Sequence, residues 1–183
     1  KADRKAICHK RSLGYSLQTA LLISDRDGTP ISPLSFSLWA NDGLYTTRQS
    51  PVLAVRKGVA LRLDLNEDIA FCGDEVLLRR LIMNLLDNAI KYTPSGGSVS
   101  VKLANEQTAI KIIVSDTGMG IPAEAAAHVF ERFYRADKAR SRADGGSGLG
   151  LAIARWVAET HKGSIDLVSI SGKGSKFIVS LPK

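Results

Sequence analysis

Only two cysteines, Cys8 and Cys72, occur in the 183 residues. They stand far apart with no paired spacing, which excludes a disulfide framework and a zinc site and suits a reducing compartment. Aromatic residues make up 6% of the chain, and the net charge is +7. Local clusters of basic residues lie at 1–11 and 132–142, and no arginine–aromatic stacking pattern appears. That pattern points to an anionic partner other than nucleic acid. No run approaches the roughly 20 apolar residues of a membrane span. The basic start is not followed by an apolar run and a small-residue cleavage site. No membrane contact by this chain is expected. A hydrophobic content of 44% is enough for the core of one domain with an appendage.

The most informative stretch is a helix expected from about Asp74 to Tyr92. Leu78, Leu81, Ile82, Leu85, Leu86, Ala89 and Ile90 make it apolar nearly all round, the mark of a buried helix. Asn84, Asn88 and Lys91, four and seven residues apart, form one polar stripe. Two carboxamides and an ammonium on such a helix are either satisfied core groups or ligands: an amide oxygen for a hard cation, and Lys91 for a phosphate.

Residues 1–52 read as loop-rich. Ser16 to Ser24 suits a strand or a helix, Asp25–Gly28 a tight turn, and Pro30, Pro33 and Pro51 with several serines follow. From there the pattern is regular. Val59–Leu65 alternates as a half-buried strand, and Asp74 is placed to cap the central helix. Strands are expected at Ser98–Leu103 and Ala109–Val114, and a short helix at Ala123–Phe130 opened by Pro122. A helix is expected at Gly150–His161, then closing strands at Ile165–Ser169 and Phe177–Leu181. The mixture without strict alternation predicts an antiparallel-leaning sheet with helices on one face.

Two glycine-rich turns carry chemistry. Asp116-Thr-Gly118-Met-Gly120 follows a strand, so a ligand can approach the backbone and a carboxylate can accept from an exocyclic amine. Gly145-Gly146-Ser147-Gly148-Leu149-Gly150 opens a helix whose N–H groups can cradle phosphate. It fits neither the dinucleotide fingerprint nor the Walker loop. Between them, Phe130-Glu-Arg132-Phe133-Tyr134-Arg135 is either a helix end packing its aromatics or a lid whose arginines reach a phosphate.

The order Asn-x-x-x-Asn, Asp-x-Gly-x-Gly, Phe-x-x-Phe, Gly-x-Gly-x-Gly resembles the N, G1, F and G2 boxes of sensor histidine kinases of two-component systems. The likeness covers about 53–183, down to the Gly172-Lys-Gly174-Ser175 turn. It implies the Bergerat fold, an α/β two-layer sandwich with a mixed, mostly antiparallel sheet, and an ATP-binding catalytic domain at 53–183 behind a segment 1–52 of different character. The resemblance assigns Asn88 to Mg²⁺, Lys91 to the phosphates, Tyr92 to the flank of the base and Asp116 to the adenine amine. Gly118, Gly120 and Ile121 would lie against the nucleotide, and Arg132 or Arg135 near the terminal phosphate. Gly146, Ser147, Gly148, Leu149 and Gly150 would supply the lid hinge and phosphate contacts. Asn84 stands where hydrolysing clamps of the same fold (chaperone, type II topoisomerase or mismatch-repair type) carry Glu; a carboxamide is no base for water.

The implied reaction is γ-phosphoryl transfer from Mg-ATP to a histidine on a separate dimerisation and phosphoacceptor domain, with a response-regulator receiver domain further on. The implied location is cytoplasmic, as part of a membrane-anchored sensor. None of His9, His128 and His161 has the acceptor context of this family, so the chain alone is expected to bind ATP without labelling itself. A non-catalytic nucleotide-binding module is the remaining alternative.

Overall fold

The computed structural model describes residues 20–24, 30–35, 49–64, 69–136 and 147–183. Two strands, β1 (Ala20–Ser24) and β2 (Pro30–Ser35), pair antiparallel. The turn expected at 25–28 lies outside the described residues. Helix α1 (Gln49–Lys57), hidden from the sequence reading by its serine and proline, ends at Gly58 with φ +67. Gly58 N–H bonds to Val55 O at 3.1 Å and Val59 N–H to Ala54 O at 2.9 Å, a Schellman ending.

Strand β3 (Ala60–Asp64) follows, then β4 (Ile69–Cys72), a short strand that pairs in parallel with β1. The central helix α2 (Glu75–Tyr92) starts where the sequence placed it. Asp74 caps it, its Oδ1 accepting from Leu77 N–H at 3.0 Å. All seven apolar residues of the expected buried set are at most 3% exposed. Each of the leucines and isoleucines among them contributes about 1.5–3 kcal/mol of burial.

The main sheet adds β5 (Ser98–Asn105), β6 (Ala109–Asp116), β7 (Ser164–Ile170) and β8 (Gly174–Pro182), in the order β3-β5-β6-β8-β7. Only the β3/β5 pair is parallel; the others are antiparallel. Its inner face, from Val99, Val101, Ile110, Ile112, Val114, Phe177, Val179 and Leu181, forms one core with α2 and with α4 (Gly150–Thr160). Lys102, Asp166, Val168 and Lys176 alternate onto the exposed opposite side. The α/β architecture expected of the Bergerat fold is therefore present.

One element is shorter than expected. Helix α3 covers Ala123–Ala126 and does not run on to Phe130. Beyond it the backbone bonds close over three residues: His128 N–H to Ala125 O, Glu131 N–H to His128 O and Tyr134 N–H to Glu131 O. Tight turns of this kind replace the helix.

Candidate nucleotide site

Register across the sheet explains why the site forms at one end. On the inner face, Leu167, Phe177 and Val114 make one apolar row across β7, β8 and β6. Two residues further along, the same face carries Ser169, Ser175 and Asp116, aligned as Cα partners. This row is polar where every row behind it is apolar. Asp116 Oδ1 accepts from Gly118 N–H at 2.8 Å and Ser175 N–H at 3.3 Å. Burial pushes the Asp116 carboxyl above the usual carboxylate range, and these two backbone donors pull partly against it.

The turn after Asp116 is locked against its neighbours. A Cβ on Gly118 would run into the Tyr92 carbonyl, and one on Gly120, whose φ is +66, into the Ile170 carbonyl. Met119 N–H donates to Tyr92 O at 3.2 Å, and Met119 O accepts from Gly172 N–H at 2.7 Å. Ile121 N–H donates to Ser169 Oγ at 2.8 Å. The expected nucleotide-binding turn is thus pinned to the end of α2 on one side and the β7–β8 turn on the other.

On α2, Asn84, Asn88 and Lys91 are half-buried along one stripe, as their spacing requires. Asn84 Nδ2 is buried with no hydrogen-bond partner among the described residues. Its carboxamide faces the start of α4: a Cβ on Gly150 would lie 3.6 Å from Asn84 Oδ1. Leu149 is the N-cap of that start, and no side chain among the described residues caps it. Lys91 Nζ stands 5.6 Å from the centre of the Tyr92 ring, itself 45% exposed.

The expected lid is described only at its shoulders. Gly146 and residues 137–145 lie outside the described residues, while Ser147, Gly148, Leu149 and Gly150 lie inside them. Phe133 N–H bonds to Gly148 O at 2.9 Å, joining the shoulders. Gly148 has φ +69, and a Cβ there would come within 2.9 Å of the Phe133 backbone. The two aromatics of this motif part ways. Phe130 packs edge-on against Phe177 at 6.2 Å, whereas Phe133, at φ +63, is 70% exposed. Phe130 is the anchor; the left-handed backbone at Phe133 turns its ring outward. Arg132 is exposed and Arg135 half-buried.

Several supporting residues escaped the sequence reading. Lys57 Nζ donates to Ile90 O at 2.9 Å and to Lys91 O, closing the C-terminal carbonyls of α2. Its only signal was a lysine before the glycine that ends α1. Ser169 could have been found by parity: it shares the inward alternation of Ile165 and Leu167 in β7. His161 is more than a helix-end residue. Its Nδ1 bonds to Val157 O at 2.8 Å, and its Nε2 accepts from Asp74 N–H at 3.0 Å. A carbonyl only accepts, so Nδ1 carries the hydrogen and the ring ties the end of α4 to the cap of α2.

Comparison with known proteins gives this geometry its lineage. Residues 73–183 match the model of the "Histidine kinase-, DNA gyrase B-, and HSP90-like ATPase" family. Sensor histidine kinase RppB of Synechocystis sp. is 44% identical over 129 residues, covering 68% of this chain and 28% of that protein. Sensor-like histidine kinase SenX3 of Mycobacterium tuberculosis is 46% identical over 131 residues, covering 72% and 32%. The chain thus spans about a third of the length of these curated relatives. Among solved structures, mycobacterial sensor histidine kinase MprB superposes with a TM-score of 0.61 at 31% identity, covering 74% of this chain and 91% of that one. The catalytic domain of histidine kinase ThkA gives 0.63 at 27%, covering 74% and 89%. The polar row, the glycine turns and the α2 stripe are therefore features of a chain that belongs to the family of histidine kinase-, DNA gyrase B- and HSP90-like ATPases.

Proposed function

We propose that residues 53–183 are the ATP-binding catalytic domain of a two-component sensor histidine kinase. The domain transfers the γ-phosphoryl of Mg-ATP to a histidine on a separate dimerisation and phosphoacceptor domain, from which a receiver domain draws it. The observation that carries this reading is the meeting of the α2 stripe with the start of α4, uncapped among the described residues, at Asn84 and Gly150. Phosphates placed there meet helix N–H groups on one side and the α2 amides and Lys91 on the other. Asp116, in the polar row with Ser175 and Ser169, takes the adenine amine.

The donor set suits Mg²⁺. Asn88, with Asn84 beside it, offers neutral hard oxygens, and no cluster of three His, Cys, Asp or Glu exists among the described residues. A cation held by one or two side chains and completed by substrate phosphates is the usual magnesium arrangement. Bound there, it neutralises phosphate charge. The chain's own residues orient the nucleotide: Asp116 by the base, Lys91 and Arg132 or Arg135 by the phosphates. The acceptor nitrogen attacks phosphorus as the bond to the ADP oxygen breaks. Asn84 cannot take a proton from water, which favours transfer over hydrolysis.

The acceptor lies elsewhere. His161 is committed to Val157 and Asp74, 14 residues or about 21 Å along α2 from Asn88. His128 is exposed and paired with Glu131 at 2.7 Å; His9 lies outside the described residues. No helix among the described residues is long and apolar enough to cross a membrane. A cytoplasmic place within a membrane-anchored sensor is part of the proposal.

Incubation with γ-labelled ATP and a supplied phosphoacceptor domain tests it. An acid-labile, alkali-stable label on the supplied domain, with none on this chain, is the expected result. Release of free phosphate with no label transferred would move the chain to the hydrolysing clamps. Tight nucleotide binding with neither outcome would make it a binding module.

A further inference from the structure

Ser169 lies outside the nucleotide contacts assigned above, yet its hydroxyl is fully committed. Its Oγ accepts from Ile121 N–H at 2.8 Å and donates to Gly174 O at 3.0 Å. It also lies 3.0 Å from Ser175 Oγ. A serine hydroxyl has one hydrogen and two lone pairs. With that hydrogen on the Gly174 carbonyl, the contact between the two serines needs the Ser175 hydroxyl to be the donor. Ser175 is 8% exposed and stands between Ser169 and Asp116 in the polar row. Its N–H goes to Asp116 Oδ1. Once its hydroxyl hydrogen points at Ser169, Ser175 Oγ offers only lone pairs.

We infer that Ser169 is a specificity-determining positioning residue: by fixing the Ser175 hydroxyl as an acceptor, it makes the base end of the site select a 6-amino purine over a 6-oxo purine. The inference rests on the nucleotide-binding reading proposed above and deepens it. With Ser175 oriented, both polar side chains at this end, the Asp116 carboxylate and the Ser175 hydroxyl, present acceptors. An exocyclic amine, directly or through a water, donates to them. An exocyclic carbonyl meets lone pairs and loses its hydration without return, and sites built this way reject the mismatched partner strongly. A Ser175 hydroxyl released from Ser169 can turn its hydrogen toward such a carbonyl. Ser169 acts at one remove, touching Ser175 and the backbone of Ile121 rather than the base.

The test is calorimetric titration of the whole chain with ATP and with ITP, which differs at the 6-position group and its adjoining ring nitrogen. Wild type is expected to favour ATP. Ser169→Ala should lower the ATP-to-ITP affinity ratio about tenfold, the worth of one buried hydrogen bond set wrongly, partly through a gain for ITP. Ser169→Thr keeps the hydroxyl and should restore the ratio. Should Ser169→Ala fail to fold, Ser169→Cys, with a thiol that donates and accepts poorly, takes its place. An equal loss for both nucleotides in Ser169→Ala, leaving the ratio at the wild-type value, makes Ser169 a brace only and overturns the inference. A wild type that binds neither nucleotide sinks the nucleotide reading itself, and the inference with it.

Discussion

At the N-terminal end of α2 the protein closes the helix with its own groups. Asp74 accepts from Leu77 N–H, and Asp74 N–H goes to a histidine ring that is itself bonded to Val157 O. At the C-terminal end the backbone is closed as well, by Lys57 on Ile90 O and by Thr93 N–H and Oγ on Ala89 O. The side chains differ. Toward that end Asn84 holds a buried amide with no partner among the described residues, on the stripe that also carries Asn88 and Lys91. Backbone groups must be satisfied for the helix to exist at all, so both ends are finished in that respect. Side-chain polar groups left unserved in a buried setting cost stability and are kept where a ligand repays them. The first end serves the fold; the second is the end that the proposed nucleotide reading uses.

Substitutions at the two ends should therefore move different observables. The largest effect is expected at the glycine turn after Asp116. Gly120→Ala needs a left-handed backbone and drives a Cβ into the Ile170 carbonyl. It should cost about 3 kcal/mol or more of folding stability, seen as a melting temperature lowered by several degrees. An unshifted melt would mean that the close approach of Gly120 to the Ile170 carbonyl is loose.

Next comes Asp116→Ala, which on the proposed reading removes a charge-assisted hydrogen bond to the base and should weaken ATP and ADP alike by about 1.5–3 kcal/mol, tenfold or more. ADP binding at wild-type strength in a titration would remove Asp116 from the pocket.

His161→Ala and Asn88→Ala sharpen the comparison as a pair. The first leaves Asp74 N–H without its partner and strips the side-chain bond from Val157 O, which keeps the His161 backbone N–H; it should lower stability by about 0.5–1.5 kcal/mol, with ATP affinity unchanged. The second should leave the melt within about 0.5 kcal/mol of wild type and weaken Mg-ATP more than adenosine. A His161 variant that loses ATP affinity, or an Asn88 variant that loses adenosine equally, would erase the distinction between the two ends.

The smallest effect concerns pH. The folded Asp116 carboxyl lies above its ordinary value of 3.8 because burial disfavours its charge. A raised carboxyl favours the folded state below the unfolded value, and that contribution is lost as pH rises through the folded one. Asp116→Asn keeps an oxygen for Gly118 and Ser175 and carries no buried charge. Its nucleotide-free melting temperature at pH 7 should equal or exceed that of wild type, with the gap closing on acidification toward 3.8. A variant less stable than wild type at pH 7 would show that the two backbone bonds outweigh desolvation.

Local pattern by itself determined much here. The apolar set of α2, its Asp74 cap, the alternation of β5 and β6 and the glycine turns are all written in residues a few positions apart, where helix and strand periodicity suffice. Asn84, Asn88 and Lys91 had to share a face once the helix was granted. What pattern did not contain was anything joined across the chain. Helix α1 carries its serine and proline in its first turn, where a missing N–H costs nothing, so residues that read as loop start a helix instead; α3 gives way to three-residue turns before Phe130 reaches Phe177. Phe133 faces outward because its backbone is held by Gly148, a residue remote in sequence. Only the tertiary structure put Ser169 beside Ser175 and Asp116, since that row exists through the register of three strands, and register is settled by the burial of a whole face rather than by any one segment.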